Sequence, residues 1–564
     1  MHGGKAMAFL DICIGVEDFG EIRENRYCYV DKTSFIEEML VTPPPKVSLI
    51  TRPRRFGKTL TMTMLQKFFD IRQDSRAIFE GLAVSKNTAL CQKWMNQYPT
   101  VFMTLKGVEG QSFSHVLEKM ALLIQKVCLT HAYLFDESKL PVRIVENLVT
   151  LEKCQASIPA LENSLALICE AMEIYWEKPV ILLIDEYDTP VNCAEQNGNN
   201  EDMIGFIRSF LGAALKTNPS LKFAVLTGCL RIAKESIFTG LNNFKCFGIS
   251  DSYFADKLGF TPREVKALLD KADLPGKEAE IKEWYDGYRF GCGTEIYCPW
   301  DVLQYLSDLQ HYAETKPRAY WNNTSSNSIV KTLISRAEHR VIRDKIERLI
   351  EGGSVEEELI EELTYDIVYK NEHNLWTMLY LTGYLTKAAK QPNSDLTALV
   401  IPNKVVRQIF IKTVSLWFED KVAENDLSSF AEALWNGKSA ELEQMLTEIL
   451  YSTISYFDSA ENYYHGFITG LIRGAGLSIC SNDETGLGRA DVVIDDPLNR
   501  RAIIIEQKYA RNYEELEAKA EEGLRQIEER KYALGLMPRI KKVMNYGISF
   551  WKKESCVKVL ETTR

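Results

Sequence analysis

The stretch Val47–Leu60, VSLITRPRRFGKTL, decides the fold of the first part of this chain. Its apolar first half predicts a buried strand, and its second half ends in Gly57-Lys58-Thr59 and continues into a helical pattern. A strand, such a turn and a helix, in this order, predict a phosphate-binding loop: helix N-terminal N–H groups face the anion, Lys58 reaches the β- and γ-phosphates, and the Thr59 hydroxyl holds Mg²⁺. Arg52 stands where the general motif has its first glycine, so the alternative is a basic turn without a ligand.

Composition limits the class of protein. The chain has 564 residues, 46% of them hydrophobic, which is enough for roughly three or four domains. A formal net charge of −11 does not indicate nucleic-acid binding by the whole surface, although a basic cleft can lie in an acidic protein. Thirteen cysteines without a CxxC pair argue against a disulfide framework and a zinc module. Without a signal peptide or a membrane-length apolar run, we expect a soluble cytoplasmic protein with no membrane partner.

Strand and helix patterns alternate after the phosphate loop. Apolar runs near residues 100, 182 and 224 predict strands, and amphipathic stretches of helical length separate them. Apolar strands that alternate with helices indicate a mostly parallel sheet covered on both faces. We therefore predict an α/β P-loop nucleotide-binding domain over residues 1–250.

A second part of the nucleotide site is expected after the apolar run that begins at Val180. Asp185 and Glu186 follow this run, at the strand end where open α/β sheets place ligands. Asp185 would bind Mg²⁺, and Glu186 would orient or deprotonate the attacking water. Thr227, at the end of the next strand, and Arg231 are candidates for sensing the phosphates. A solvated strand end and an exposed arginine are the alternatives, and the nucleotide is ATP or GTP.

The middle of the chain, residues 251–427, is predicted to be mostly helical. The residues from Trp284 to Trp300 are rich in Trp and Tyr and are expected in the core rather than on a base-stacking surface. EEELIEE, Glu356–Glu362, predicts a solvated helix face or a flexible connector. Residues 375–410 show the order helix, strand, polar turn, strand, helix, which suits a winged-helix-like module. It carries few basic residues, so DNA binding is not inferred from it.

A second chemical site is predicted in the last part of the chain, residues 428–564. LGRADVVIDD and RAIIIEQKYA, joined by a turn at residues 497–499, predict a β-hairpin. Because strand side chains alternate between faces, Glu506 and Lys508 project together, and Asp491 can face them from the neighbouring strand. Two carboxylates that meet suit a hard divalent cation, Mg²⁺ or Mn²⁺. Lys508 would position a water or neutralise developing charge, as in the PD-(D/E)xK phosphodiesterases.

The surroundings of this second site carry further expectations. Glu461 opens a preceding helix and is a candidate for metal support, whereas His465, one turn later, is expected to be packed. A following helix with Gln526 and Tyr532 completes the pattern. Residues 498–564 carry 15 Lys and Arg against 10 Asp and Glu, which can attract a polyanion such as DNA. Surface ion pairs and a mildly basic helical tail are the alternatives.

Several linked blocks carry a resemblance to a known family. The sequence resembles the AAA-ATPase-like bacterial family, whose members are described as ATP-binding proteins with a C-terminal PD-(D/E)xK nuclease-like domain. The resemblance implies nucleotide contacts from Arg55, Gly57, Lys58 and Thr59, and metal or water contacts from Asp185 and Glu186. The blocks are VDKT (Val30–Thr33), RPRRFGKTL (Arg52–Leu60), LLIDEYDTP (Leu182–Pro190), TGCLRIAKESIFTGLNN (Thr227–Asn243) and WYDGYRFG (Trp284–Gly291).

These observations together predict a function. We expect a bacterial ATP-binding protein, an ATPase, in which the nucleotide domain regulates a Mg²⁺-dependent DNA endonuclease through a helical and winged-helix-like connector. One alternative is a nucleotide-dependent switch or interaction protein whose nuclease-like domain is not catalytic. Another is a nucleic-acid motor without cleavage. The oligomeric state is open, and a homo-oligomer is compatible with the sequence.

Overall fold

The computed structural model describes most of the chain. The described residues are 9–41, 44–197, 200–230, 244–320, 328–335, 340–360, 372–423, 427–452, 460–479, 490–536 and 538–563. They divide into two compact units. The first unit contains Met1–Ser325 with Glu356–Val406, and the second contains Ser326–Val355 with Arg407–Arg564. The three domains predicted above, with boundaries at residues 250 and 427, stay a prediction.

A five-stranded parallel sheet forms the centre of the first unit, in the order β2-β3-β4-β1-β5. This confirms the α/β fold and the parallel sheet that the alternating pattern predicts. Every residue of β1 and β3 is buried, in keeping with a sheet covered on both faces. The edge strand β5 was not predicted. The strands are β1 (Val47–Thr51), β2 (Thr100–Thr104), β3 (Val180–Asp185), β4 (Leu221–Gly228) and β5 (Phe244–Phe247).

Helices cover this sheet, and the helix Lys58–Phe69 packs against it through Met64, Leu65 and Phe68. Ile181 and Leu183 of β3 and Val225 of β4 meet these side chains in one apolar cluster. The described helices of the first unit are Phe19–Glu24, Ser34–Val41, Lys58–Phe69, Arg76–Phe79, Thr88–Trp94, Phe113–Thr130, Val142–Glu152, Ile158–Glu162, Ser164–Trp176, Thr189–Asn197, Asn200–Leu215, Pro262–Lys271, Glu278–Tyr285, Pro299–His311 and Glu372–Leu381.

The rest of the first unit contains short strands. The pair β6 (Tyr288–Phe290) and β7 (Thr294–Ile296) lies in the aromatic block, whose Tyr285 and Tyr288 are buried, as expected of a core. A second small sheet has the order β8-β10-β9, from β8 (Val355–Glu357), β9 (Thr386–Lys387) and β10 (Thr397–Val400). Most of β8 belongs to the first unit, whereas its first residue, Val355, is assigned to the second unit. The helix Glu372–Leu381, β9, β10 and the helix Lys404–Ala423 follow one another in the order predicted for the winged-helix-like module.

The prediction of a solvated helix from Glu356 was wrong for its first residues. Glu356 and Glu357 belong to the strand β8, and Glu357 is 2% exposed. The Glu357 carboxylate lies 3.1 Å from Nδ1 of His373, and this partner lets an acidic side chain be buried in a sheet. Residues 361 and 362 lie outside the described residues.

The second unit is built on a four-stranded sheet in the order β11-β12-β13-β14. β11 and β12 form the predicted antiparallel hairpin, β13 runs parallel to β12, and β14 is antiparallel to β13. The strands are β11 (Val492–Asp496), β12 (Arg501–Tyr509), β13 (Lys542–Trp551) and β14 (Glu554–Thr563). The described helices are Ser328–Ser335, Arg340–Ile350, Lys404–Ala423 (which begins before the boundary at Val406), Ser428–Asn436, Ser439–Ser452, Ala460–Gly474 and Leu516–Glu529.

The helix Leu516–Glu529 lies unusually close to the sheet of the second unit. A Cβ at Gly547 of β13 would come within 1.9 Å of the carbonyl oxygen of Ala520, and one at Gly523 within 3.1 Å of that of Glu506. Glycine at these two positions therefore permits the helix to approach the strand that carries Glu506. In the part of the chain that the structure describes, no helix combines the length and apolar character that crossing a membrane requires.

Candidate functional site

The predicted phosphate loop joins β1 to the helix Lys58–Phe69. Gly57 has φ +83 and begins this helix without a side chain that could cap it, so the first N–H groups of the helix face the loop. Lys58 is 7% exposed, and its Nζ donates to the carbonyl oxygens of Arg52 and Pro53, each at 3.0 Å. The loop thus curves around the ammonium group. A concave loop with a cation and N–H groups can bind phosphate.

Arg52 stabilises the structure around the loop, a role that its position in the motif does not indicate. Its side chain is fully buried, and its guanidinium donates to four main-chain carbonyls: Thr51, Phe247 and Gly248 through Nη1 and Phe254 through Nη2, at 2.8–3.0 Å. Burial lowers the pKa of Arg52 to about 10, so the group stays charged at neutral pH. Arg52 ties the start of the loop to the strand β5 and to residues that follow it.

Asp185 lies at the centre of the predicted magnesium site. Its carboxylate accepts hydrogen bonds from the hydroxyls of Thr59 at 2.8 Å, Thr104 at 3.3 Å and Thr227. This meeting follows from the sheet order, because β4 lies between β1 and β3 and all three strands end at the same edge. The structure therefore brings together three residues that the sequence selected separately: Thr59, Asp185 and Thr227.

Two more acidic residues lie beside this cluster. Glu186 has φ +53, a left-handed conformation that is costly for a side chain of this type, and burial, with Asp185 next, raises the pKa of its carboxyl. Asp188 was not predicted. It is 2% exposed and accepts hydrogen bonds from the N–H groups of Cys229 at 2.9 Å and Leu230 at 3.1 Å. Its place in DEYDTP, two residues after Glu186, is the sequence signal that could have identified it.

The remaining nucleotide-site predictions have different outcomes. Arg55 has φ +70, and its guanidinium lies 3.9 Å above the centre of the Trp300 ring, a cation–π contact within the first unit. Arg231 lies outside the described residues. Cys229, just after Thr227 and Gly228, places its Sγ 3.6 Å from Nζ of Lys58. Nothing in the sequence indicated that this thiol would lie beside the Lys58 ammonium.

The residues present fit a nucleoside triphosphate with Mg²⁺. The hydroxyl of Thr59 and the carboxylate of Asp185 already touch, and hard divalent cations prefer such oxygen ligands. Lys58 is a buried cation beside the open helix end, where the phosphates would lie. Thr59 and Asp185 would hold the metal, and Lys58 with the loop N–H groups would hold the phosphates.

The second predicted site lies on β12 and the residue that precedes β11. Lys508 Nζ donates to Glu506 Oε1 at 3.0 Å and to Gln526 Oε1 at 2.7 Å. Asp491 Oδ2 accepts the N–H of Gln507 at 2.7 Å, which places its carboxylate beside this strand. Gln526 Nε2 donates to Glu506 Oε1 and to the hydroxyl of Tyr532, the latter at 3.1 Å. The three predicted catalytic side chains are thus gathered, with two neighbours from the following helix and turn.

The Glu506 carboxylate is buried and lies near a second carboxylate, that of Asp491. It is 3% exposed, and burial, with the Asp491 carboxylate as the next cause, raises its pKa to about 7. Its Oε2 is buried and has no hydrogen-bond partner in the described residues. A bound cation would satisfy both features, so Asp491 and Glu506 fit Mg²⁺ or Mn²⁺. Within the described ranges, no group of three or more His, Cys, Asp and Glu side chains could hold a metal ion.

Two further residues concern this site: Gln507, which lies between Glu506 and Lys508 in the sequence, and Glu461, for which metal support is predicted. Gln507 is 9% exposed, and its side-chain amide has no hydrogen-bond partner in the described part of the chain, so this polar residue faces a packed side. The helix that was to start at Glu461 runs over Ala460–Gly474. The side chain of Glu461 lies outside what the structure describes, so its role as a metal ligand stays a prediction.

Comparisons with known proteins identify two domains in this chain. Residues 13–238 match a family model described as a predicted AAA-ATPase, and residues 459–559 match one of the PD-(D/E)XK nuclease superfamily. An "uncharacterized protein in vnfD 5′ region" of Azotobacter chroococcum mcd 1 is 26% identical over 344 residues, which is 60% of this chain and 58% of that protein. The first match contains Lys58 and Asp185, and the second contains Asp491, Glu506 and Lys508. The chain therefore carries an AAA-ATPase-like domain followed by a domain of the PD-(D/E)XK nuclease superfamily.

Proposed function

We propose that the chain is an ATP-binding protein, an ATPase, coupled to a Mg²⁺-dependent DNA endonuclease. The observation that carries the nuclease half is the cluster of Asp491, Glu506 and Lys508, with the 3.0 Å contact between Lys508 and Glu506. The observation that supports the ATPase half is the contact of Thr59 and Thr227 with one carboxylate, that of Asp185, beside the loop that surrounds Lys58.

In the nucleotide site, different residues bind the phosphates, orient the attacking water and respond to the phosphates. Lys58 and the N–H groups at the start of its helix bind and orient the phosphates. Mg²⁺, when bound, neutralises phosphate charge. Glu186 is the residue that orients the attacking water, and its raised pKa, caused first by burial, makes it a better proton acceptor than a solvated carboxylate. Thr227, through Asp185, is placed to respond to the state of the phosphates.

In the nuclease-like site the side chains hold one another in position. Gln526 contacts both Glu506 and Lys508, which fixes the ammonium beside the carboxylate. A divalent cation, when bound, would polarise a phosphodiester and lower the pKa of a water. Lys508 would hold that water or neutralise charge that develops on the phosphate. DNA is the proposed substrate because residues 498–564 have more basic than acidic side chains and residues 459–559 match a model of the PD-(D/E)XK nuclease superfamily.

The location proposed for this protein is the bacterial cytoplasm. No disulfide joins the cysteines of the described residues, as in a reducing compartment. A homo-oligomer is compatible with this proposal, and analytical ultracentrifugation with and without ATP would measure the oligomeric state.

A cleavage assay tests the nuclease half. Supercoiled plasmid is incubated with the full-length protein and Mg²⁺ or Mn²⁺, beside Asp491→Ala, Lys508→Ala and the control Lys86→Ala, an exposed lysine outside residues 498–564. We expect wild type and Lys86→Ala to cut and the two site variants to lose at least about a hundredfold in rate. Cleavage that survives both site substitutions would refute the nuclease assignment. DNA binding without any cleavage by wild type would favour the non-catalytic alternative.

A binding measurement tests the ATPase half. Lys58→Ala removes the cation of the phosphate loop and should abolish ATP binding, measured by titration calorimetry. Lys86→Ala, an exposed lysine outside the loop, is the control and should bind as wild type does. Unchanged ATP affinity in Lys58→Ala would discard the nucleotide site. A motor without cleavage would require ATP turnover that DNA stimulates while the plasmid stays intact.

A further inference from the structure

Two aromatic side chains that neither candidate site uses lie together in the second unit. Tyr513 is 61% exposed, and the centre of its ring lies 5.9 Å from that of Trp551, with an angle of 71° between the ring planes. Trp551 is half-buried and is the last residue of β13. Exposed Tyr and Trp rings, which combine a flat apolar face with a polar tip, are typical of binding surfaces. We call these two residues the aromatic pair.

The register of the sheet relates the aromatic pair to the nuclease-like site. Lys508 of β12 pairs with Ser549 of the parallel strand β13, so both side chains project to one face. Trp551 lies two residues after Ser549 and therefore projects to that face as well. Two residues of a strand span roughly 7 Å. Trp551 thus lies on the face that carries Glu506 and Lys508, about the length of one nucleotide beyond Lys508.

Tyr513 reaches the same face from the start of the helix Leu516–Glu529. The hydroxyl of Ser549 donates to the carbonyl oxygen of Leu516 at 2.5 Å, so the helix begins on this face of the sheet. Tyr513 lies three residues before Leu516, and its ring contacts that of Trp551. The aromatic pair therefore lies at the end of the face that holds the candidate site.

The backbone around Tyr513 is fixed although its ring is exposed. Asn512 Oδ1 accepts the N–H of Glu515 at 3.0 Å, and Asn512 Nδ2 donates to Glu515 Oε1 at 3.1 Å. The other oxygen of this carboxylate accepts the N–H of Arg511 at 3.0 Å. Because the turn is already ordered, a ligand that covers the ring would cost little conformational entropy.

One cation lies beside the aromatic pair. Nζ of Lys552 is 5.0 Å from the centre of the Trp551 ring, and this lysine is exposed. Lys552 has φ +53 in the turn that joins β13 to β14, a conformation that glycine or asparagine usually supplies and that costs a lysine backbone energy. Glu514 lies next to Tyr513 in the sequence, so this surface is not strongly basic. We expect a ligand to be held by the rings first and by the ammonium group second.

A nucleic-acid strand with a free base fits this combination. Flat aromatic rings stack on bases, and an ammonium group beside them can contact a phosphate of the same strand. In a duplex each base is covered by its neighbours, so only an unpaired stretch, a strand end or a base turned out of the helix offers a free face. At one nucleotide's length from Lys508, such a base would flank the phosphate that the site holds.

We propose that Tyr513 and Trp551 form a stacking platform for an unpaired nucleotide beside the cleaved phosphate, so that the nuclease-like site acts on single-stranded or frayed DNA in preference to continuous duplex. The proposal rests on the proposed nuclease function, and it adds the substrate class. Negatively supercoiled plasmid opens unpaired stretches and so remains a substrate.

Binding in EDTA, which prevents cleavage, tests the stacking platform in the full-length protein. A fluorescein-labelled thymidine oligonucleotide and a blunt duplex of the same length are titrated, and fluorescence anisotropy is measured. Tyr513→Ala should lose at least about tenfold in affinity for the single strand and keep its affinity for the duplex. Tyr513→Phe, which keeps the ring, should bind both as wild type does. Tyr312→Ala removes another exposed tyrosine, in the first unit, and is the control.

A cross-link identifies the contact in the wild-type protein. The same strand with iodouracil in place of thymine is irradiated with the protein, and the attached residues are identified by mass spectrometry. Cross-links at Tyr513 or Trp551 would support the stacking platform. Cross-links confined to other residues would overturn it.

The salt dependence of binding tests Lys552. Each phosphate contact to a single strand contributes about 0.7 to the slope of log affinity against log salt concentration. Lys552→Ala should therefore reduce this slope by about 0.7, while Lys86→Ala, an exposed lysine of the first unit, should not change it. An equal slope for Lys552→Ala and wild type would overturn the role of Lys552.

Failure of the stacking platform and failure of the proposed function give different results. If wild type cuts plasmid with Mg²⁺ but Tyr513→Ala binds and cuts the thymidine strand as wild type does, only the stacking platform is overturned. If wild type neither cuts plasmid nor binds the strand, the nuclease function fails, and the stacking platform fails with it.

Discussion

At the scale of single residues, Arg52 stabilises the loop that precedes Lys58. Its buried guanidinium donates to the carbonyls of Thr51, Phe247, Gly248 and Phe254, and hydrogen bonds to a charged group are among the stronger ones. Arg52→Gly would restore the glycine of the general motif and remove the guanidinium from all four carbonyls, of which those of Gly248 and Phe254 keep a main-chain N–H donor. We expect it to lower the free energy of unfolding of the first unit by about 3 kcal/mol or more, measured by thermal denaturation of the full chain.

The control for this variant is Arg55→Gly in the same loop. Arg55→Gly loses the contact with Trp300. Because Arg55 has φ +70, which glycine adopts without strain, the substitution also relieves backbone strain, so the two effects on the free energy of unfolding nearly cancel. Its stability should stay within about 1 kcal/mol of wild type. Equal stability of Arg52→Gly and wild type would show that the buried hydrogen bonds do not hold the loop.

His131 gives the first unit an acid-sensitive point. It is 2% exposed, its Nδ1 lies 3.1 Å from the Tyr133 hydroxyl, and burial, with the charge of Arg72 next, lowers its pKa from 6.5 to about 3; Asp70 opposes this. At pH values between about 3 and 6.5, His131 binds a proton in the unfolded chain but not in the folded chain. The stability is therefore complete above pH 6.5 and is lost as the pH falls toward 3, by about 2 kcal/mol between pH 7 and pH 5.

Replacing the histidine tests this dependence. His131→Phe keeps a buried ring and removes the titration, so its unfolding midpoint should fall less than that of wild type between pH 7 and pH 5. Thermal denaturation at both pH values measures the difference. If the unfolding midpoints of the two proteins fall equally between pH 7 and pH 5, the pKa of His131 does not differ between the folded and unfolded states.

Site residues could be predicted from the sequence where they lie at or just after the end of a strand. Thr59, Asp185 and Thr227 follow apolar strands, and parallel strands end at one edge, so their meeting could be expected before the structure. Arg52 could not be assigned in this way. A basic residue in a phosphate loop suggests a ligand contact, and nothing in one sequence shows that its side chain turns inward to main-chain carbonyls.

At the scale of elements, the contact between the helix Leu516–Glu529 and β13 sets the nuclease-like site. Gly547 pairs with Glu506 in the sheet, and a Cβ there would meet the carbonyl oxygen of Ala520 at 1.9 Å. Gly547→Ala must therefore push the helix outward, away from the strand that carries Glu506. We expect a loss of about 1–3 kcal/mol in the stability of the second unit, and a lower cleavage rate because Gln526 leaves Glu506.

Gly466→Ala is the matched control for this prediction. Gly466 lies in the helix Ala460–Gly474, and apart from the backbone of that helix no atom of the described residues lies within 4 Å of the position of an added Cβ. Alanine there should be neutral or stabilise the helix by up to about 1 kcal/mol. If thermal denaturation and plasmid cleavage give the same values for Gly547→Ala and Gly466→Ala, the close approach of the helix is not what positions Gln526.

The strands that could be predicted from the sequence are long and apolar, whereas β5 and β8, which were missed, are short. β3 and β12 are long apolar runs and could be predicted, as could the hairpin that brings Asp491 to Glu506. The strand β5 has four residues, FKCF, at the edge of the sheet, and β8 carries two glutamates. Short strands that are formed by pairing with a neighbour, rather than by their own apolar pattern, have no signal in one sequence.

At the scale of the whole molecule, the described residues of each candidate site lie within one compact unit. Lys58, Thr59, Asp185 and Thr227 belong to the first unit, and Asp491, Glu506, Lys508 and Gln526 belong to the second. Neither site needs a side chain from the other unit for the contacts described above. Any effect of ATP on cleavage must therefore be carried by a change in the equilibrium between states of the chain, to which both sites contribute.

If the nucleotide domain regulates the nuclease-like domain, the cleavage rate of wild type with Mg²⁺ should differ at least about fivefold with and without ATP, a coupling of roughly 1 kcal/mol. Lys58→Ala should cut plasmid at one rate under both conditions, since its phosphate loop no longer responds to ATP, while Lys86→Ala should respond as wild type does. Lys508→Ala should still bind ATP but cut under neither condition. A wild-type rate that ATP leaves unchanged would separate the two domains into independent activities on one chain.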